Sequence, residues 1–252
     1  MTRAVLTYHS IDESRSAISI APAVFEAHFT WLTSGRVRVL PLGELVAARD
    51  DDGDAVAVTF DDAFLNTRFA VERLLNHGVP VTLFVVTGHA GATNMWGGHP
   101  HPGIPTLPLL GWQDLEFLRS HGAAVEAHTR SHAPLTGKSA AELDDELQGC
   151  RADLESRLGV RSEHLAYPYG AVDDVVAGRA AESFRFAHTT EYGCLSAGDD
   201  PMRIPRLDMY YFQSPDAFET WGTPKFARRV ALVRAKRRLK VRATYLLQGG
   251  TM

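Results

Sequence analysis

The chain has no run of about eighteen apolar residues, so no segment of it is read as a membrane-spanning helix. Cysteine is scarce: Cys150 and Cys194 are the 2 in 252 residues, too few for a disulfide framework. Cys150 falls on the apolar side of a predicted helix, where a buried thiol is expected, and Cys194 falls in a loop. Nothing like a leader precedes the first apolar run, because Met1-Thr2-Arg3 passes straight into residues 4–8; no signal peptide is read, and a cytoplasmic location is the expectation. Acidic residues stop at Glu219, while nine Lys or Arg crowd into residues 225–242, leaving 17 basic against 30 acidic residues elsewhere. One reading of this basic stretch is a solvated helix face attracted to its own acidic body. The other is contact with an anionic membrane surface, since Phe226, Val230 and Val233 share one side of the helix. On that second reading the stretch serves localisation rather than chemistry. Nucleic acid is not an expected partner, because no other part of the chain is basic.

Short apolar runs are present in a regular series: 3–8, 37–40, 55–60, 81–86, 122–127, 163–167, 184–188 and 203–207. Helical patterns separate them. Residues 63–77 carry Phe64, Val71, Leu74 and Leu75 on one side with Gly78 as a stop. Residues 139–158 open on a Ser139/Glu142 capping box, carry a stripe of Leu143, Leu147, Cys150, Leu154 and Leu158, and stop at Gly159. Alternating strands and helices predict an α/β fold with parallel strands and helices outside them, of a size that one domain can reach. Pattern alone does not separate an open sheet from a barrel. The long Gly- and Pro-rich connection 88–111 is expected to wall a substrate groove, with Trp96 offering a face to a sugar ring. Its His99-Pro100-His101 is read as ordinary surface loop, and Trp112 as core.

Two of the runs end in groups that carry chemistry. Thr59-Phe60-Asp61-Asp62 closes the run 55–60, and His128-Thr129-Arg130-Ser131-His132 closes the run 122–127. Strand ends in a repeating strand–helix chain share one mouth, so the carboxylates and imidazoles meet there. Two histidines and one carboxylate form a three-donor set for a catalytic metal, with the second aspartate left free as a base. A third element, Ala166-Tyr167-Pro168-Tyr169-Gly170, follows the run 163–167.

In these three elements, and in the opening Tyr8-His9 strand end, the chain resembles the polysaccharide deacetylases with a NodB-homology domain, over residues from about 4 to about 210. The resemblance implies a distorted (β/α) barrel with fewer regular strands than eight, spanning 1–222, followed by a basic helix or tail at 223–252. It implies a divalent metal on Asp62, His128 and His132, zinc being favoured and cobalt or nickel fitting the same donors. It also implies Asp61 as general base and the backbone N–H of Tyr169 as oxyanion donor. Three departures matter. Ala63 stands where the family's first motif usually has Gly. Ala166 stands where the third motif usually has the arginine that partners the base; Arg206 is the candidate replacement, with a surface salt bridge as the alternative. The late histidine that supplies the family's general acid has no clear counterpart, and His188 resembles a buried strand-end position instead. His9 at the end of the first strand takes that role in the Tyr-His subgroup, with a structural histidine as the alternative; the acid role needs its second nitrogen held by a neighbour. The expected activity is removal of an acetyl or formyl group from an amino sugar, in a glycan or a lipid-linked saccharide. A silent carbohydrate-binding barrel and an allantoinase-like cyclic amide hydrolase are the competing readings.

Overall fold

Strand Arg3–Tyr8 bonds in parallel to Ala55–Phe60 on one side and to Ile204–Asp208 on the other. Phe186–Tyr192, His164–Ala166, Ala124–Ala127 and Val81–Val85 complete the ring, so seven parallel strands close into a barrel. The short strand Arg38–Val39 pairs outside the ring. This computed structural model describes residues 1–51, 53–214 and 216–247, with side chains to residue 239. Each of the eight apolar runs read in the sequence overlaps one of these strands, six of them enclosing it, while Phe186–Tyr192 and Ile204–Asp208 run on past the ends of theirs. They look continuously apolar because both faces are buried.

The two faces differ in size. Outward residues such as Leu6, Tyr8, Val58, Phe60, Leu83, Val125 and Leu165 join the helices in one large core. Inward residues Val5, Ala55, Ala57, Phe84, Ala166 and Ile204 form a smaller cluster with Leu42, Leu45 and Val46 of helix Leu42–Ala47. That helix crosses the N-terminal end of the barrel, where a Cβ on Gly43 would lie 3.4 Å from Nε2 of His164. Three alanines inside suit a barrel of only seven strands, whose bore leaves little room for branched side chains.

Two helices differ from the sequence reading. The segment 63–77 is helical only over Arg68–Asn76, after a 3-10 turn at Leu65–Thr67, because Asp62 and Ala63 sit at φ +64° and +55°. The segment 139–158 starts on its Ser139/Glu142 box and ends at left-handed Gly159, but a π turn at Asp145–Gly149 interrupts it. The basic stretch lies in helix Pro224–Leu247, and the side chains of Lys240 and Arg242 and the residues 248–252 lie outside the described part. Phe226 and Val230, which the sequence offered to a membrane, are buried against the barrel instead, and Val233 packs on the same core. Arg229 on this inner side donates to the carbonyls of Tyr211 and Ala217 at 2.8 and 2.9 Å.

Several histidines are structural. His28 lies between Tyr8 Oη, 3.1 Å from its Nδ1, and the Phe212 carbonyl, 2.9 Å from its Nε2. A neutral ring with its proton on Nε2 satisfies both partners. Burial depresses the His28 pKa from 6.5 to about 4, and burial does the same for His164, also to about 4. Both rings are neutral in the fold and would take a proton in the unfolded chain below its ordinary value of 6.5. Their stabilisation is therefore complete above pH 6.5 and is lost as pH falls through about 4, by up to ~3 kcal/mol each. Urea unfolding at pH 7.5 and at pH 4.5 should show a drop of several kcal/mol, and His28→Gln should flatten that dependence. An equal pH slope in the variant and the parent would remove His28 from this account.

Candidate active site

Six non-glycine residues have φ between +55° and +64°, and five of them are Asp62, Ala63, Thr129, His132 and Tyr169. Left-handed backbone costs an ordinary residue roughly 1–2 kcal/mol. Its concentration in the three sequence motifs marks the place where the fold gives up stability for geometry. Ala63 is the plainest case, because glycine would occupy that conformation without the penalty.

The strained turns aim three donors at one point. Asp62 Oδ1 lies 3.3 Å from His128 Nε2 and 3.2 Å from His132 Nε2, and all three side chains are buried. The Asp62 oxygen nevertheless has no hydrogen-bond partner among the described residues. His128 is oriented from behind: its Nδ1 donates to the Ala166 carbonyl at 2.7 Å, which leaves the Nε2 lone pair facing Asp62. Donors about 2.1 Å from a shared ion in tetrahedral array would be ~3.4 Å apart, close to the separations seen. Donor types, spacing and the orphaned oxygen all fit a divalent cation.

Burial raises the cost of charge on Asp62, but His132 and His128 outweigh it and hold the carboxyl well below the usual range. The two imidazoles diverge. Burial pulls His128 down, yet contact with Asp62 and the charge of Asp61 leave it raised, whereas His132 is left lowered by its burial.

Asp61 points away from this triad and into a buried ion pair. Arg206 Nη1 and Nη2 bond its two oxygens at 2.8 Å each, and Arg206 Nε bonds the Thr189 carbonyl at 3.0 Å. Burial pushes Asp61 up, and the guanidinium overrides this and keeps it ionised. Arg206 is thus a buried partner of Asp61 and not a surface salt bridge. Ala166 contributes its carbonyl and no side-chain charge.

His9 Nε2 lies 3.8 Å from Asp61 Oδ2, too far for a hydrogen bond, and lines the same cavity. The neighbour expected to hold its second nitrogen is not found among the described residues. Tyr169 stands at the rim, with its ring centroid 4.8 Å from that of His132. Its backbone N–H has no partner among the described residues. His188 is fully buried, 3.0 Å from Nδ1 of His164, and does not line the cavity.

Glu146 and Asp208 carried no signal in the sequence. Glu146, presented by the π turn, accepts from the N–H groups of Arg130 and Ser131 at 3.1 and 2.9 Å and so fixes the loop between the two histidines. Trp96 stacks on His132 at 4.4 Å between centroids. Its loop is tied by Asn94, whose side chain bonds Pro105 and Leu107. His101, read in the sequence as ordinary surface loop, reaches the cavity instead, and Asp208 reaches it from the last strand. The cavity has a volume of about 240 Å³.

This arrangement can be set beside known proteins. The polysaccharide deacetylase family model matches residues 48–184. The chain belongs to the polysaccharide deacetylase family. Within it, the chain is 26% identical over 223 residues to the poly-beta-1,6-N-acetyl-D-glucosamine N-deacetylase of Staphylococcus epidermidis, covering 80% of this chain and 70% of that one. Among solved structures, the Streptococcus pyogenes deacetylase PplD in complex with acetate superposes with a TM-score of 0.74 at 19% identity, covering 89% of this deacetylase and 99% of that chain. IcaB from Ammonifex degensii gives 0.70 at 23% identity, covering 86% and 96%. Both share the barrel.

Because Asp61 and Arg206 are buried together, removing one strands the other. Arg206→Met should destabilise the fold by roughly 3–5 kcal/mol, and pairing it with Asp61→Leu should restore much of that loss. Chemical denaturation of the four proteins checks both statements. A small effect of Arg206→Met alone would mean that the pair is hydrated in solution.

Proposed function

We propose that this family member removes an N-acyl group, acetyl or formyl, from an amino sugar of a glycan or a lipid-linked saccharide. The observation that carries the proposal is the buried Asp62–His128–His132 donor set opening on the same cavity as Asp61, His9 and Tyr169. The side chains of Asp62, His128 and His132 would hold a divalent metal, which when bound supplies polarisation of an acyl oxygen and acidification of water. Zinc is the ion that two imidazoles and a carboxylate favour, with cobalt and nickel as alternatives.

The chain's own groups carry the rest. Asp61 takes the proton of the attacking water as general base; Arg206 fixes the orientation of its carboxylate, and the strength of that pairing makes it a weak base that needs an acidified water. The Tyr169 N–H faces no competing acceptor, so it is free to donate to the acyl oxygen as negative charge develops there, a contribution typically of about 3–4 kcal/mol. His9, unbonded at Nε2, donates a proton to the departing amine nitrogen so that the C–N bond breaks to amine and carboxylate. Trp96 covers one face of His132 and, with Ile18, Phe64 and Ile104, makes an apolar wall for a sugar ring. The cavity is small beside the ~300–1,000 Å³ of typical ligand pockets, which suits a single sugar unit.

The test is acetate or formate release from a panel of N-acyl amino sugars, with metal content measured alongside. Asp62→Ala and His132→Ala should lose both metal and turnover, whereas Asp61→Asn should keep metal and lose turnover. His9→Ala should cripple amide cleavage by about 10²-fold or more yet spare an activated ester with a good leaving group. Equal losses on amide and ester would make His9 structural. Metal-free protein that binds the sugars without turnover would favour the carbohydrate-binding reading.

A peripheral contact with anionic membrane is a second proposal, now on a different face of the C-terminal helix from the one the sequence indicated. Leu232 and Leu239 stand 63% and 65% exposed, on the side that also carries exposed Lys225, Arg228 and Lys236. Full-length protein should sediment with phosphatidylglycerol vesicles at low salt and be released as salt rises. Leu232→Asp should weaken this without changing hydrolysis of a soluble substrate. Indifference to anionic vesicles at low salt removes the idea.

A further inference from the structure

The inner side of the C-terminal helix reaches the catalytic mouth through the end of one strand. Arg237 Nη2 donates to the Thr190 carbonyl at 3.0 Å, and its Nη1 lies 3.9 Å from Asp208 Oδ2. The guanidinium packs 5.2 Å from the Tyr211 ring centroid and 5.9 Å from that of Tyr192. Arg234 and Arg238 both bond Glu191, the next residue. Three arginines of one helix thus hold residues 190–191 from behind.

The same strand end touches the oxyanion turn in front. Thr190 Oγ1 donates to the Tyr169 carbonyl at 3.2 Å. A Cβ on Gly170 would lie 2.2 Å from Thr190 Oγ1 and 2.7 Å from Thr190 N, so the approach is as close as glycine permits. Tyr169 itself is left-handed at φ +60° and 48% exposed. Neither backbone preference nor burial holds it there. The turn's own bonds, from Gly170 N–H to the Tyr167 carbonyl at 2.9 Å and from Ala171 N–H to the Pro168 carbonyl at 3.1 Å, are joined by its contacts with the Thr190 hydroxyl and the ring of His132.

We infer that Arg237 is a positioning residue of the active site: it fixes the carbonyl of Thr190, and through the Thr190 hydroxyl it holds the carbonyl of Tyr169 and so the left-handed turn from which the Tyr169 N–H meets the acyl oxygen. The inference rests on the deacetylase reading for its effect on rate, but not for its effect on the turn. It also replaces the sequence-based expectation that the basic stretch serves localisation alone. Oxyanion donors act only when aimed within tenths of an ångström, so loosening the turn lowers turnover more than binding.

The experiment uses the full chain with metal supplied, comparing Arg237→Ala, Arg237→Lys and, as a control at an exposed arginine away from both the site and the C-terminal helix, Arg36→Ala. Backbone hydrogen exchange across residues 167–170, thermal unfolding, and kcat and KM on N-acetylglucosamine oligomers are measured for each. Arg237→Ala should speed exchange at the turn and lower kcat about tenfold while KM stays within about twofold, with the midpoint of unfolding little changed. Arg237→Lys should recover most of kcat, since an ammonium can still donate to the Thr190 carbonyl. Arg36→Ala should match the parent. Unchanged exchange at the turn in Arg237→Ala overturns the inference, as does a loss spread over the whole fold. If no sugar in the panel is turned over by the parent, the deacetylase reading fails, and exchange at the turn still decides the role of Arg237.

Discussion

The site depends on one strand being bonded on both sides. Because Arg3–Tyr8 pairs with Ala55–Phe60 and with Ile204–Asp208, the barrel closes, and the ends of three neighbouring strands come level. Thr7 is in register with both Thr59 and Asp208. That register sets His9 beside Asp61 and brings Arg206 to the far side of the same carboxylate. An open sheet of the same strands would leave the first and last at opposite edges, and the base without its counter-charge.

Closure also explains which parts of the molecule could be read from sequence. Strands buried on both faces announce themselves as apolar runs, and each was legible. The donor triad was legible too, because a strand end has a known direction and the residue types are chemically narrow. The late half of the site was legible only in part. Arg206 could be offered as the partner of Asp61 but not separated from a surface salt bridge, because it lies 145 residues away and only ring closure makes them neighbours. Glu146 sits on a helix whose apolar stripe is regular; the π turn that swings it toward Ser131 leaves no mark in the spacing of Leu143, Leu147 and Cys150. The basic helix misled for a related reason. Its stripe of Phe226, Val230 and Val233 meets the barrel, and sequence periodicity cannot say which surface a stripe will meet.

The positive-φ residues show how such a site is kept rigid. Left-handed conformations at Asp62, Thr129, His132 and Tyr169 each oppose local preference, so each needs an outside hold. Glu146 supplies one for the histidine loop by accepting two backbone N–H groups, and Thr190 supplies one for Tyr169. The catalytic turns are therefore supported by residues well separated from them in the chain. Changes at those supports would be felt as lost activity before lost fold.

Ala166 has a consequence for how this branch of the family can be recognised. Its side chain faces the packed barrel interior, and its carbonyl alone orients His128. The position therefore asks only for something small, and the arginine that the resemblance led one to expect there is dispensable once another strand delivers a guanidinium to Asp61. A search keyed to that arginine would pass over chains of this kind. One that paired the two aspartates with an arginine two residues before the end of the closing strand would find them, because the electrostatic requirement persists after the local motif has drifted.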